Sequence, residues 1–153
     1  MANKDFIYSI LSSVELEKIV NVIQEIESKT SGEVRVSIKY KRNFFERKRN
    51  IRELAIKEFF KLGMNNTRDR CGILFFILLK DHEFYILPDE GITSKLNQEF
   101  WNNLARSLEN YFQNKNFFEG IIFILHECGK VLAEYFPRKI DDENELSNTV
   151  EIS

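Results

Sequence analysis

The chain is poor in the residues that build loops, crosslinks and metal sites. Among 153 residues there are two prolines, six glycines, two cysteines and two histidines. So little glycine and proline excludes a collagen-like or loop-built scaffold. Two cysteines cannot form a disulfide framework, and Cys71 and Cys128 read as reduced thiols. His82 and His126 stand far apart, and His126-Glu127-Cys128 lacks the His-Glu-x-x-His spacing of a zinc protease. No Gly-rich phosphate loop is present. The apolar runs at 73–79 and 121–125 fall far short of the roughly 20 residues that cross a membrane. The N-terminus has neither the basic start nor the apolar stretch of a signal peptide. These absences predict a cytoplasmic protein without a membrane anchor.

What is present is ordinary globular usage, 43% hydrophobic and 30% charged, with 14 phenylalanines to fill a core. The length suits one domain. The net charge of −2 hides an asymmetry. Every lysine and arginine lies at or before Lys139, whereas Asp141, Asp142, Glu143, Glu145 and Glu151 follow it. The reading is a mildly basic domain over 10–139 and an acidic tail over 140–153.

Periodicity orders the elements. Ser12-Ser13-Val14-Glu15 is a capping-box pattern, followed by Ile19, Val22, Ile23 and Ile26 at helical spacing, which predicts a helix over about 13–29. Val34, Val36, Ile38 and Tyr40 alternate with polar residues as in a strand. A second amphipathic helix runs from Ile51 to Gly63. The apolar run from Ile73 suits a strand covered on both faces. Lys80-Asp81-His82-Glu83 reads as a tight turn into a returning strand at Phe84-Tyr85-Ile86-Leu87. Two helices follow, over about 94–113 and 118–136, and a polar tail ends the chain. The order α-β-α-β-β-α-α predicts an α/β fold, a three-layer α/β/α sandwich around a small mixed sheet.

That topology brings three segments to one end of the sheet: residues 31–33, 65–69 and 89–92. They carry Glu33, Asn66, Asp69, Asp89 and Glu90. Hard cations take six to eight oxygen ligands from such groups. No EF-hand spacing occurs, and polar loop residues also make turns and caps, so both readings stand on spacing alone.

The same residues carry a resemblance. Thr30-Ser31-Gly32-Glu33-Val34-Arg35-Val36 resembles the opening block of the TPM-domain family. Leu62-Gly63-Met64-Asn65-Asn66-Thr67 with Gly72-Ile73-Leu74, then Phe84-Tyr85-Ile86-Leu87-Pro88-Asp89-Glu90-Gly91-Ile92, resemble its second and third blocks. Phe100-Trp101, Phe117-Phe118-Glu119-Gly120-Ile121, Tyr135-Phe136-Pro137 and Asn144-Glu145-Leu146 are similar to later positions of its short bacterial members. The resemblance spans about residues 10–150. It implies an α/β/α sandwich and a calcium ion, or another divalent cation, at the loop end. It implies a binding or regulatory role toward an unidentified protein partner, or, as in some plant members, metal-dependent acid phosphatase activity. Two positions depart from the family pattern: Asp69-Arg70-Cys71-Gly72 stands where D-x-N-G is usual, and Pro88 replaces a glycine before Asp89.

Other chemistries find less support. Neither cysteine has an arginine six residues on, as a cysteine phosphatase requires. Asp81 and Glu83 have the spacing of an aspartyl-phosphate site but sit in a hairpin turn. Lys39, Lys41, Arg42, Arg47, Lys48, Arg49 and Arg52 surround Phe44-Phe45 at the end opposite the carboxylates. Basic residues among aromatics can hold a polyanion or single-stranded nucleic acid, chiefly here through Arg42, Arg47, Lys48 and Arg49. The competing expectation is a solvated loop with both phenylalanines packed inward. The near-neutral charge disfavours nucleic acid. The acidic tail is a candidate cover for this patch.

Overall fold

The computed structural model describes residues 2–139 and 150–153. The elements are α1 (Ala2–Ile10), α2 (Ser13–Glu27), β1 (Glu33–Lys39), α3 (Ile51–Lys61), β2 (Gly72–Leu78), β3 (Glu83–Pro88), α4 (Glu90–Thr93), α5 (Gln98–Gln113), α6 (Phe117–Tyr135) and β4 (Glu151–Ile152). Short 3-10 turns span Phe44–Glu46 and Met64–Asn66. The sheet order is β3-β2-β1-β4, with β1 parallel to β2 and β4, and β2 antiparallel to β3. The fold is α/β, with helices on both faces of a mixed sheet.

Local signals account for the element ends. The Ser12 hydroxyl accepts the Glu15 amide at 3.1 Å while the Glu15 carboxylate accepts the Ser12 amide at 3.0 Å, closing the capping box at α2. Gly63, at φ 72, turns the chain out of α3 in a conformation that costs other residues strain. Pro88 closes β3, an edge strand, where a missing N–H is tolerated.

Alternation along β1 and β2 separates two cores. Val34, Val36, Ile38, Ile73, Phe75 and Ile77 pack beneath α1, α2, α5 and α6. Leu74, Phe76 and Leu78 pack beneath Leu54, Ala55 and Phe59 of α3. Because α3 packs over β2 and β3, the same face of β1 carries polar side chains instead: Glu33, Arg35, Ser37 and Lys39. Arg35 is buried between Glu27 and Glu33, and the Ser37 hydroxyl donates to Glu58.

Three elements, α1, α4 and β4, escaped the periodicity reading. α1 precedes the expected first helix, and its Ile7 is fully buried in the larger core. β4 lies in what was expected to be a polar tail, with Ser37 opposite Glu151 and Ile38 opposite Ile152. The short α4 falls in the segment over 89–92 that was read as a loop, and the helix expected over 94–113 is α5, which begins later, at Gln98. Residues 140–149, with four of the five tail acids, lie outside the described residues, as does the expectation that they cover the basic patch. No helix among the described residues is long and apolar enough to cross a membrane.

Candidate functional site

The register confirms that the starts of β1 and β2 and the end of β3 lie together: Glu33 faces Gly72, and Ile73 faces Pro88. The loops beyond them are stitched through the backbone. The Asp89 amide donates to the Gly72 carbonyl at 2.8 Å, and the Gly91 amide to the Arg70 carbonyl at 3.0 Å. Gly91 is required by this approach: a Cβ there would lie 2.5 Å from the Asp69 carbonyl oxygen and 2.6 Å from that of Arg70. Arg70 itself sits at φ 53, a strained conformation for a residue with a long side chain.

Asp89 is the best-anchored carboxylate. It is 6% exposed and caps α4, accepting the Glu90 amide at 2.8 Å. Arg70 grips it bidentately, Nε at 3.0 Å and Nη2 at 3.1 Å, and the third nitrogen lies 3.3 Å from Glu90. The carboxylate in turn holds the Arg70 pKa above the ordinary arginine value. Asp69, half-buried, pairs with Lys139 at 3.4 Å. Asn66 is exposed at the end of its 3-10 turn.

Glu33 is separated from this group. It lies two strands from Asp89, about 10 Å away by strand spacing, and its carboxylate is buried against Arg35 at 2.9 Å. Glu27 shares that arginine and accepts the Val34 amide at 3.2 Å. Burial pushes the Glu27 pKa up in spite of Arg35, and its Oε1 has no partner among the described residues.

The donor set at Asp69, Asp89, Glu90 and Asn66 is chemically suited to a hard cation. The arrangement is not a preformed cage: among the described residues no three carboxylate, imidazole or thiol groups converge. Arg70 and Lys139 supply the positive charge that these carboxylates face. Nucleophilic chemistry is poorly provided for. Both cysteines are buried, and burial pushes the Cys128 thiol up to about 12, leaving it protonated at neutral pH. Asp81 and Glu83 are both engaged by Arg42.

At the opposite end the expectation that Phe44 and Phe45 pack inward is overturned. They are 69% and 87% exposed, edge to face with centroids 5.6 Å apart. The reason is Glu46, which the sequence reading did not single out. Its carboxylate turns inward to the Asn43 amide at 3.0 Å, Lys57 at 3.0 Å and Lys39 at 3.1 Å. A three-residue 3-10 turn with its last side chain buried directs the other two outward. Of the four basic residues expected to carry a polyanion, Arg42 is committed to Asp81 and Glu83, and Arg47 lies over the Phe44 ring at 4.1 Å. Lys48 and Arg49 are exposed.

Comparison with known proteins agrees with this architecture. The TPM domain matches residues 8–131. A solved structure with the same fold is that of the BA42 protein from the psychrophilic bacterium Bizionia argentinensis, determined by NMR. It is 31% identical, with a TM-score of 0.82, over 94% of this chain and 95% of that one. No curated protein matches significantly. The domain match over most of the chain and the near-complete structural overlap together show that the chain belongs to the TPM-domain family.

Proposed function

We propose that the chain is a binding domain whose loop end takes up a divalent cation at Asp69, Asp89 and Glu90 in competition with Arg70. The observation that carries this reading is the single guanidinium spanning Asp89 and Glu90. Two carboxylates at adjacent positions are held beside one another by a cation. That cation is a side chain, 42% exposed, so its outer face is open to a competing inorganic ion, although the carboxylate it grips bidentately is itself nearly buried. Asp89 supplies a rigid anionic donor, Asp69 a second from the facing loop, and Glu90 an exposed third. Asn66 adds an amide oxygen nearby in sequence. Glu33 belongs instead to the Arg35 cluster. A bound cation would supply charge neutralisation and cross-bridging of the two loops.

Calcium titration followed by amide NMR shifts tests the reading. Shifts confined to residues 66–71 and 89–91 are expected, with weak affinity, on the order of 0.1–1 mM as in open calcium modules. Arg70→Ala should tighten binding, and Asp89→Asn, which keeps the helix cap, should abolish it. The absence of loop shifts in both the wild type and Arg70→Ala defeats the proposal. Phosphate-ester hydrolysis that required Asp89 would support the phosphatase alternative instead.

A further inference from the structure

The turn at Phe44–Glu46 inverts the usual partition of side chains: an acid is buried at 3% exposure while two adjacent phenylalanines stand in solvent. The inversion is enforced, because Glu46 is clamped by Asn43, Lys39 and Lys57. Arg47 lies over the Phe44 ring, and Lys41, Lys48, Arg49 and Arg52, which flank the turn in sequence, are exposed as well. Among the described residues, Asp81 and Glu83 are paired with Arg42 and Glu46 with its two lysines, while Asp5 of α1 and Glu53 of α3 are exposed and Glu151 of β4 stands half-buried opposite Ser37. A second exposed apolar group lies on the same end of β1: Phe6 of α1, 45% exposed, packs with ring centroids 5.0 Å apart on Tyr40, which is four residues before Phe44 in the chain.

We propose that this end of the domain docks peripherally on an anionic lipid surface, with Phe44 and Phe45 entering the interface and the surrounding basic residues meeting headgroup charge. Aromatic rings are favoured at the lipid–water boundary, and basic residues beside them are attracted by acidic headgroups. Apolar tip and cationic collar are complementary to such a surface in both respects. Base stacking is less well served. One face of Phe44 is covered by Arg47, and the two rings meet edge to face at 86°, so they form an apolar knob and not a row of parallel platforms. The proposal concerns the end of the sheet opposite the loop carboxylates and is independent of cation binding there.

The test is co-sedimentation with phosphatidylcholine vesicles that contain about one third phosphatidylglycerol, against pure phosphatidylcholine, at low and high salt. Wild-type protein should partition onto the anionic vesicles at low salt and be released at high salt. The double change Phe44→Ser, Phe45→Ser should weaken partitioning by about tenfold or more. Lys48→Glu and Arg49→Glu should each weaken it by about fivefold or more. Phe44→Leu with Phe45→Leu should retain it, because an apolar tip suffices. Circular dichroism of each variant should match the wild type, since every substituted side chain is exposed. No binding to anionic vesicles, or binding indifferent to the serine changes, overturns the proposal. So does binding to an oligothymidine that is lost in the leucine variant while vesicles are ignored, which would assign the surface to single-stranded nucleic acid.

Discussion

Replacing Glu46 by glutamine probes the clamp that sets the exposed turn. Burial of this carboxyl raises its pKa. The Asn43 amide and the two lysines outweigh that effect and lower it from the ordinary 4.5 to about 2. At about 1.4 kcal/mol per pH unit, the fall corresponds to about 3 kcal/mol of stability at neutral pH. Lys57 is half exposed, so solvent screening brings the expected loss in Glu46→Gln to about 2–3 kcal/mol. The sign follows from proton binding. The folded state holds this proton less tightly than the unfolded chain, so the stabilisation is full above 4.5 and is lost as pH falls toward 2. At pH 3 about 1 kcal/mol of it should remain. Urea denaturation of both proteins at neutral pH and at pH 3 measures the two differences. Glu27 acts with the opposite sign. Its pKa is raised by burial, so its own contribution is lost as pH rises through its folded value. Both proteins contain Glu27, so the comparison cancels it. Equal stabilities at neutral pH, or a difference that does not shrink on acidification, would refute the clamp.

Two further substitutions address the rest of the fold. Arg35→Met leaves Glu27 and Glu33, both nearly inaccessible, without their shared guanidinium. A loss of about 3–5 kcal/mol is expected in denaturant unfolding, and a loss below about 1 kcal/mol would show that the cluster is not needed as an ion pair. Gly91→Ala forces a methyl against two backbone carbonyls. It should cost about 1–3 kcal/mol and loosen Arg70 from Asp89, seen as a lower melting temperature with amide shifts at 67–71 and 89–91. An unchanged melting temperature would mean that the loops part without penalty.

Much of the architecture was legible because it rests on local pattern. The Ser12–Glu15 capping box, the alternation from Val34 to Ile38, the apolar run from Ile73 and the turn at His82 each declare one element within a few residues. α1 carries too short a pattern, and β4 is two residues long; both exist because Ile7 and Ile152 find apolar neighbours far away in the chain. The loop end was legible as a meeting of segments, since strand order and direction imply it. The pairing of its charges was not. Sequence spacing places Glu33, Asp69, Asp89 and Glu90 near one another but does not say that Arg35 takes the first, Lys139 the second and Arg70 the last two.

The sequence by itself determined the α/β/α order, the family membership expected from its ordered blocks, and the placement of acidic and basic residues at opposite ends of the sheet. Those follow from periodicity and chain direction, which are properties of neighbouring residues. Only the tertiary structure decided which charges are spent on one another and which hydrophobic groups stay in water. Those outcomes depend on distances between residues remote in sequence. Glu46 makes the point: its pairing with Lys39 and Lys57 turns an acid inward and leaves Phe44 and Phe45 facing solvent, against the preference of each side chain taken alone.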